Sequence, residues 1–194
     1  MAARVKIDFD KVYDFEDISP DLKLSSFITR LENGDELPLK VKISNNAHEL
    51  LPSVYNLAFG PLNKQGRIDD RAALAHEDYS MVFSTILFSA FAYLQQNKDH
   101  YLGIDGSDNT RAYFYFRAMI RNFDYLDRYF NMYGIKYFVR ISRFGRTQYD
   151  NPFDFEDIMS QALRSRLTTG FHRISCTITS FSISGTNVKD AAKS

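Results

Sequence analysis

The chain is 194 residues long, 44% hydrophobic and 15% aromatic, enough for one packed domain with a peripheral extension. Its 24 basic and 24 acidic side chains cancel, which excludes an overall field that draws in nucleic acid or anionic lipid and confines any nucleic-acid role to a local patch. A single cysteine, Cys176, excludes an internal disulfide and a cysteine-built zinc site, and fits a reducing, cytoplasmic setting.

Residues 1–20, "MAARVKIDFDKVYDFEDISP", mix acids with Phe and Tyr and end at Pro20. They read as a weakly ordered lead-in on the domain surface, without the basic-then-apolar pattern of a signal peptide. "LKLSSFITRL" then meets "LPLKVKIS" across Asn33-Gly34, the strongest short hairpin signal. Leu39, Val41 and Ile43 alternate with Lys40 and Lys42, so the second strand buries one face and wets the other. "SVYNLAFG" is a third strand, with Tyr55, Leu57 and Phe59 on one side. Residues 79–94 repeat Val82, Ile86, Ala90 and Leu94 at helical spacing, thickened by Phe83, Leu87 and Phe91. The run 81–94 is too short for the roughly 20 residues a bilayer needs, so no membrane role is expected.

"HYLGID" is the fourth strand. Phe116, Met119, Ile120, Phe123, Leu126 and Phe130 then mark one face of a second helix over 110–130, with Gly134 where a helix C-terminal glycine belongs. "IKYFVRIS" alternates as a fifth strand, "FEDIMSQALRSRL" carries acids early and arginines late like a third helix, and "HRISCTITSFSIS" reads as a last strand. The fold class expected is α+β: a mixed sheet of about five strands in β-β-β-α-β-α-β order, packed by two main helices. That order matches ribonuclease H-like topology, a comparison that carries no function by itself. The domain reading is a lead-in 1–20, a core 21–141, a helix-and-strand extension 142–185 and a flexible tail 186–194. Leu39, Val41, Leu57, Ile86, Phe123 and Leu126 are expected to share one core.

The chemistries narrow quickly. Two-metal phosphoryl transfer on such a fold needs carboxylates converging from several strands and a helix; Asp105 stands at one such place, and neither the first strand nor the 79–94 helix offers another. His48, His76, His100 and His172 show no metal-ligand spacing, Cys176 reads as a structural thiol, and the nucleophile-elbow, Walker and dinucleotide motifs are missing from the sequence. No catalytic residue, metal site or cofactor is assigned. Arg140, Arg143 and Arg146 form a basic cluster suited to a protein or polyanion partner rather than to reading a duplex. What remains is the junction at Gly106-Ser107, where a strand end feeds a helix start and Arg111 lies one turn along. Free first-turn N–H groups and an arginine bind an anion there; the alternative is that Ser107 is an ordinary cap and Arg111 pairs with Asp69, Asp70 or Asp78.

"YNLAFG" at 55–60, "IDD" at 68–70, Asp78 ahead of the 79–94 helix, and "GSDNTRAYFY" at 106–115 together resemble an uncharacterised bacterial family, domain of unknown function 6934, over roughly residues 22–140. Gly106, Ser107, Arg111 and Tyr115 match a family pattern of Gly-Ser-Thr, two residues, Arg, and a Tyr four positions on, with Asp108 in place of the threonine. Where the family carries Asn-Asn-Gly-Asp, this chain has "AHED" at 75–78 and keeps only Asp78. The resemblance implies no known reaction. It points to Gly106, Ser107, Arg111, Tyr115, Tyr55, Asn56 and Asp78 as ligand-binding positions, and it asks for no acid at 105.

Two functions from different classes follow. One is a binding or accessory module with a protein partner, by analogy one encoded with bacterial defence or toxin–antitoxin genes. The other is an enzyme or sensor acting on a phosphorylated small molecule or nucleotide. The first is favoured, because the sequence offers no convincing acid, base or nucleophile set around the anion site.

Overall fold

At the tip of the first hairpin Gly34 takes φ 89°, a left-handed conformation that costs glycine nothing. Asn33 Nδ2 donates to Asp35 Oδ2 at 2.7 Å and the Leu31 N–H closes on the Asp35 carbonyl at 2.8 Å. The turn fixes the register of β2 (Leu24–Arg30) against β3 (Glu36–His48), Phe27 opposite Leu39 and Ser25 opposite Val41. Phe27, Leu39, Val41 and Ile43 all point to the buried face, as the alternation requires. β4 (Leu51–Gly60) pairs antiparallel with β3 and adds Leu57 to that face. This computed structural model describes residues 5–49, 51–69, 72–105, 109–136, 163–166 and 180–185.

On the buried face lies α1 (Tyr79–Gln96), capped by Asp78, whose carboxylate accepts from the Met81 N–H at 2.9 Å. Val82, Ile86, Ala90 and Leu94 are buried as their spacing predicts, each large side chain contributing about 1.5–3 kcal/mol. The helix also buries Ser84, Thr85 and Ser89, and each has a partner. Ser89 Oγ lies 3.0 Å from Ser25 Oγ; Ser84 Oγ accepts from the Asp8 N–H and Thr85 Oγ1 from the Tyr13 N–H, both at 2.9 Å.

Those last two bonds belong to a feature that overturns the expected loose lead-in. Residues 5–13 form a strap across α1, and β1 (Phe15–Ile18) then adds to the edge of the sheet beside β2. Val5 and Ile7 are buried in the main core. Among the described residues the strap pairs with no strand; N–H groups along it are met by side chains instead, Lys6 by Ser80, Ile7 by Asn122 and Phe9 by Tyr125. Phe9 packs among Phe88, Tyr125 and Tyr129 with ring centroids 5.8, 5.6 and 4.8 Å away.

β5 (Tyr101–Asp105) runs parallel to β4, pairing Tyr55 with Leu102. The helix expected over 110–130 is shorter and broken. α2 (Asn109–Arg121) stops at Asn122, whose amide donates to the Ala118 carbonyl at 2.8 Å and to the Val5 carbonyl at 3.1 Å. A single turn, α3 (Phe123–Leu126), follows, and β6 (Phe130–Lys136) has begun by Phe130. Phe130 and Met132 are buried in strand alternation, so Gly134 sits within β6 rather than ending a helix. Leu126 joins Leu39, Val41, Leu57 and Ile86 in one core, whereas Phe123 is half-buried against it.

β7 (Leu163–Arg166) corrects the expected third helix over its described residues, because 163–166 pair antiparallel with β6. β8 (Ser180–Gly185) is the described part of the expected last strand. The expected α+β class and mixed sheet hold; the first four expected strands correspond to β2–β5, and the fifth, expected over 135–142, meets β6 only at 135–136, in a sheet whose described strands are ordered β1-β2-β3-β4-β5-β8-β6-β7. Within that sheet β5 lies beside β4, and β8 is inserted antiparallel between β5 and β6. Gly106, Ser107, Cys176, His172 and the Arg140, Arg143 and Arg146 cluster lie outside the described residues. No helix among the described residues is long and apolar enough to cross a membrane.

Candidate functional site

Where β4 ends, Gly60 passes so close to the next loop that a Cβ there would stand 2.6 Å from the Asp69 carbonyl oxygen. No real Cβ tolerates that, so glycine is what allows residues 61–69 to fold back against the strand. The Asp69 N–H donates to the Pro61 carbonyl at 2.8 Å, and Leu62 bridges Ile68. The chain then runs to His76, which forms an antiparallel bridge with Leu31, and on to the Asp78 cap.

This folding-back leaves a cleft of about 570 Å³ between the loop, the first turns of α1 and the first turns of α2. Its apolar wall is a set of edge-on and tilted rings. Phe83 stands 5.9 Å from Phe59, 5.5 Å from Phe114 and 5.8 Å from Tyr115, and Phe59 stands 5.6 Å from Tyr115. Half-buried Arg111 borders the same cleft from the α2 side, and Glu32 and Asp69 border it from the opposite loops. Beneath the rings lies a small apolar void walled by Ile7, Ile86, Met119 and the inner faces of Phe59, Phe83 and Tyr115.

His76 is buried at the cleft floor. Its Nδ1 lies 3.3 Å from Thr29 Oγ1 and its ring meets Tyr79 edge-on at 5.2 Å. Burial pushes its pKa below the ordinary histidine value, because the charged imidazolium loses its hydration there. Among the described residues, His76, Arg111, Glu32 and Asp69 thus border the cleft around an aromatic wall.

Of the residues singled out from the sequence, Arg111 and Tyr115 line this cleft. Asp78 stands next to it and spends a carboxylate oxygen on capping α1. Tyr55 and Asn56 belong elsewhere: the Tyr55 ring lies 4.4 Å from that of His100, itself bonded through Nδ1 to the buried Tyr93 hydroxyl at 2.8 Å, and the Asn56 N–H donates to Ser44 Oγ at 2.9 Å. Gly106 and Ser107, outside the described residues, are given no place relative to the cleft. Sequence reasoning missed Phe59, Phe83, Phe114 and His76 as cleft residues; it treated Phe59 and Phe83 as strand or core packing and gave Phe114 no role within "GSDNTRAYFY". The signal that was available is Gly60 at the end of "YNLAFG", a glycine at a strand end that marks close approach of another backbone. Among the described residues no three His, Cys, Asp or Glu side chains cluster as a metal site.

The search of curated proteins and the search of solved structures each give no match. A family model described as "Family of unknown function (DUF6934)" matches residues 10–154, a span that includes every cleft element and reaches beyond the 22–140 covered by the resemblance seen in the sequence. The chain belongs to this family of unknown function.

Proposed function

We propose that the protein is a binding module whose cleft receives an anionic group of its ligand or partner, with Arg111 as the receiving cation and the Phe59, Phe83, Phe114 and Tyr115 rings as the wall that grips the apolar body beside it. What carries the reading is convergence. Residues far apart in the chain, from segments that resemble the family pattern, border one cavity: Phe59, Gly60, Asp69, Arg111, Phe114 and Tyr115. A guanidinium beside aromatic faces is a strong anion receptor, because its planar fork binds an oxyanion through two parallel hydrogen bonds while the rings exclude water. A module is favoured over an enzyme because two of the titratable groups nearby are engaged in structure: His76 is buried against Thr29, and Asp78 caps α1.

Thermal melts of wild type and Arg111→Ala, with and without millimolar phosphate or ATP, test this reading. Wild type is expected to gain stability with the anion, and the variant to lose that gain while its own stability changes by no more than about 0.5 kcal/mol. No anion effect in wild type together with a loss of about 3–5 kcal/mol in the variant would assign Arg111 to a buried ion pair and retire the reading. An enzyme or sensor acting on a phosphorylated small molecule or nucleotide is the second reading. It is supported by the cleft volume, which lies in the range that buries a small ligand, and by rings suited to stack a base. Turnover of ATP by wild type, lost in Arg111→Ala, would select it.

A further inference from the structure

His76, 8% exposed, is fixed on the cleft floor from three directions. Its main chain lies between two antiparallel hydrogen bonds, from the Glu32 N–H to the Ala75 carbonyl and from the Glu77 N–H to the Arg30 carbonyl, both at 2.9 Å. Tyr79 of α1 meets the ring edge-on, and its own hydroxyl is tied to the Leu74 carbonyl. Thr29 of β2 stands at Nδ1, and that contact also sets the tautomer. Thr29 is fully buried, and among the described residues the imidazole is the one partner its hydroxyl has. A hydroxyl that accepted from Nδ1 would leave its own proton buried without an acceptor, which is costly. Thr29 therefore donates to Nδ1, and the ring proton resides on Nε2. By the geometry of the ring Nε2 points away from Thr29, and it has no hydrogen-bond partner among the described residues, in a side chain that borders the cavity.

We propose that His76 is a ligand-binding residue whose Nε2–H donates to an uncharged carbonyl oxygen, carried on the aromatic or apolar body that the ring wall grips. The inference rests on the reading of Phe59, Phe83, Phe114 and Tyr115 as that wall and makes no use of Arg111. Small-ligand pockets are largely apolar and set the orientation of their occupant with a few fixed polar groups. An imidazole held by Thr29, Tyr79 and two main-chain bonds is such a group. A carbonyl suits it better than a carboxylate. The imidazole is uncharged near pH 7, because burial lowers its pKa, and a dipole alone repays little of the cost of taking an anion out of water. The donor also selects against an occupant without an acceptor, since such an occupant cuts Nε2–H off from water and gives nothing back. Glu32 and Asp69 from the loops and Arg111 from α2 border the same cleft, so pH enters the test as well.

Nitrogen-15 NMR of the histidine rings in the full chain, with His76 assigned through its contact with Tyr79, is the first measurement. An unprotonated Nδ1 and a protonated Nε2 are expected above about pH 7; the opposite tautomer overturns the proposal before any ligand is added. Titration with benzamide, and with toluene as the reference lacking a carbonyl, is the second. Benzamide is expected to shift the Nε2 signal, and the ratio of benzamide to toluene affinity should fall about fivefold or more in His76→Phe, the worth of one neutral hydrogen bond. The ratio is read because a purely structural disturbance weakens both probes alike, and the two ring measurements need no variant should His76→Phe melt early. An Nε2 signal that benzamide leaves in place, or a ratio unchanged in the variant, makes His76 a packing residue and nothing more. Benzoate that binds by protonating the ring, with affinity rising as the pH drops through about 6.5, would make the floor an imidazolium–anion pair and overturn the carbonyl. Phosphate or ATP that stabilises wild type through Arg111 while His76 ignores benzamide removes this inference and leaves the anion receptor standing; the converse result removes the anion receptor alone.

Discussion

At Gly60 a single hydrogen atom decides whether the cleft exists. Gly60→Ala puts a methyl group 2.6 Å from a carbonyl oxygen that belongs to backbone and cannot rotate away. The loop must shift instead, and urea unfolding is expected to show a loss of about 1–3 kcal/mol, with ligand binding weakened beyond what the stability loss explains. His76 offers a test of a different kind. Its imidazole, depressed by burial, takes up a proton more readily in the unfolded chain, so its contribution to stability is complete above about pH 6.5 and falls as the pH drops below that. The melting temperature of wild type should therefore decline between pH 7 and 5, and His76→Gln should flatten that decline. An unchanged slope in the variant would mean that the proton uptake occurs elsewhere. Asp78 has a structural part: Asp78→Ala should cost about 1 kcal/mol through the lost cap, read by the same unfolding curves.

Among the elements, the strap of residues 5–13 is the one the sequence hid. Its anchors are Ser80, Ser84, Thr85, Asn122 and Tyr125, polar side chains that interrupt apolar periodicity and were read past for that reason. Asn122→Ala removes the acceptor of the Ile7 N–H, 2.9 Å away and buried, and should cost about 1–3 kcal/mol, with the Ile7 amide losing its protection from hydrogen exchange. Full protection in the variant would show that the strap is held by Val5, Ile7 and Phe9 alone. The hairpin and α1 were legible because Asn33-Gly34 and the Val82, Ile86, Ala90, Leu94 repeat each belong to one period. The stretch after Arg121 was not. Phe123, Leu126 and Phe130 keep helical spacing, yet Phe130 and Met132 begin a new period of two in the same residues. The cleft was half legible: Arg111 and Tyr115 came from a motif, but an aromatic side chain that lines a cavity has the same sequence signature as one that fills a core.

For the whole molecule, the position of β8 matters most. Pairing between neighbours in sequence is read from turns and alternation; the insertion of residues 180–185 between two strands that precede them is written in no local pattern. Both β5 and β6 take one of their two ladder partners from β8, and the family match ends at 154, before β7 and β8. A chain ending at residue 179 should lose cooperative unfolding and gain light scattering, since it leaves two interior strands with open edges. A truncated chain that melts like wild type would show that β8 is dispensable. Synthesis meets the same situation every time the protein is made. The ribosome delivers β1 to β4 and α1 early, and these can pair as they emerge, while β5 and β6 must wait with uncovered edges until residue 185 is outside. Translation that pauses over residues 137–179 lengthens that wait, so the spacing between β6 and β8 sets how long a nascent chain depends on chaperones to keep from pairing with its neighbours.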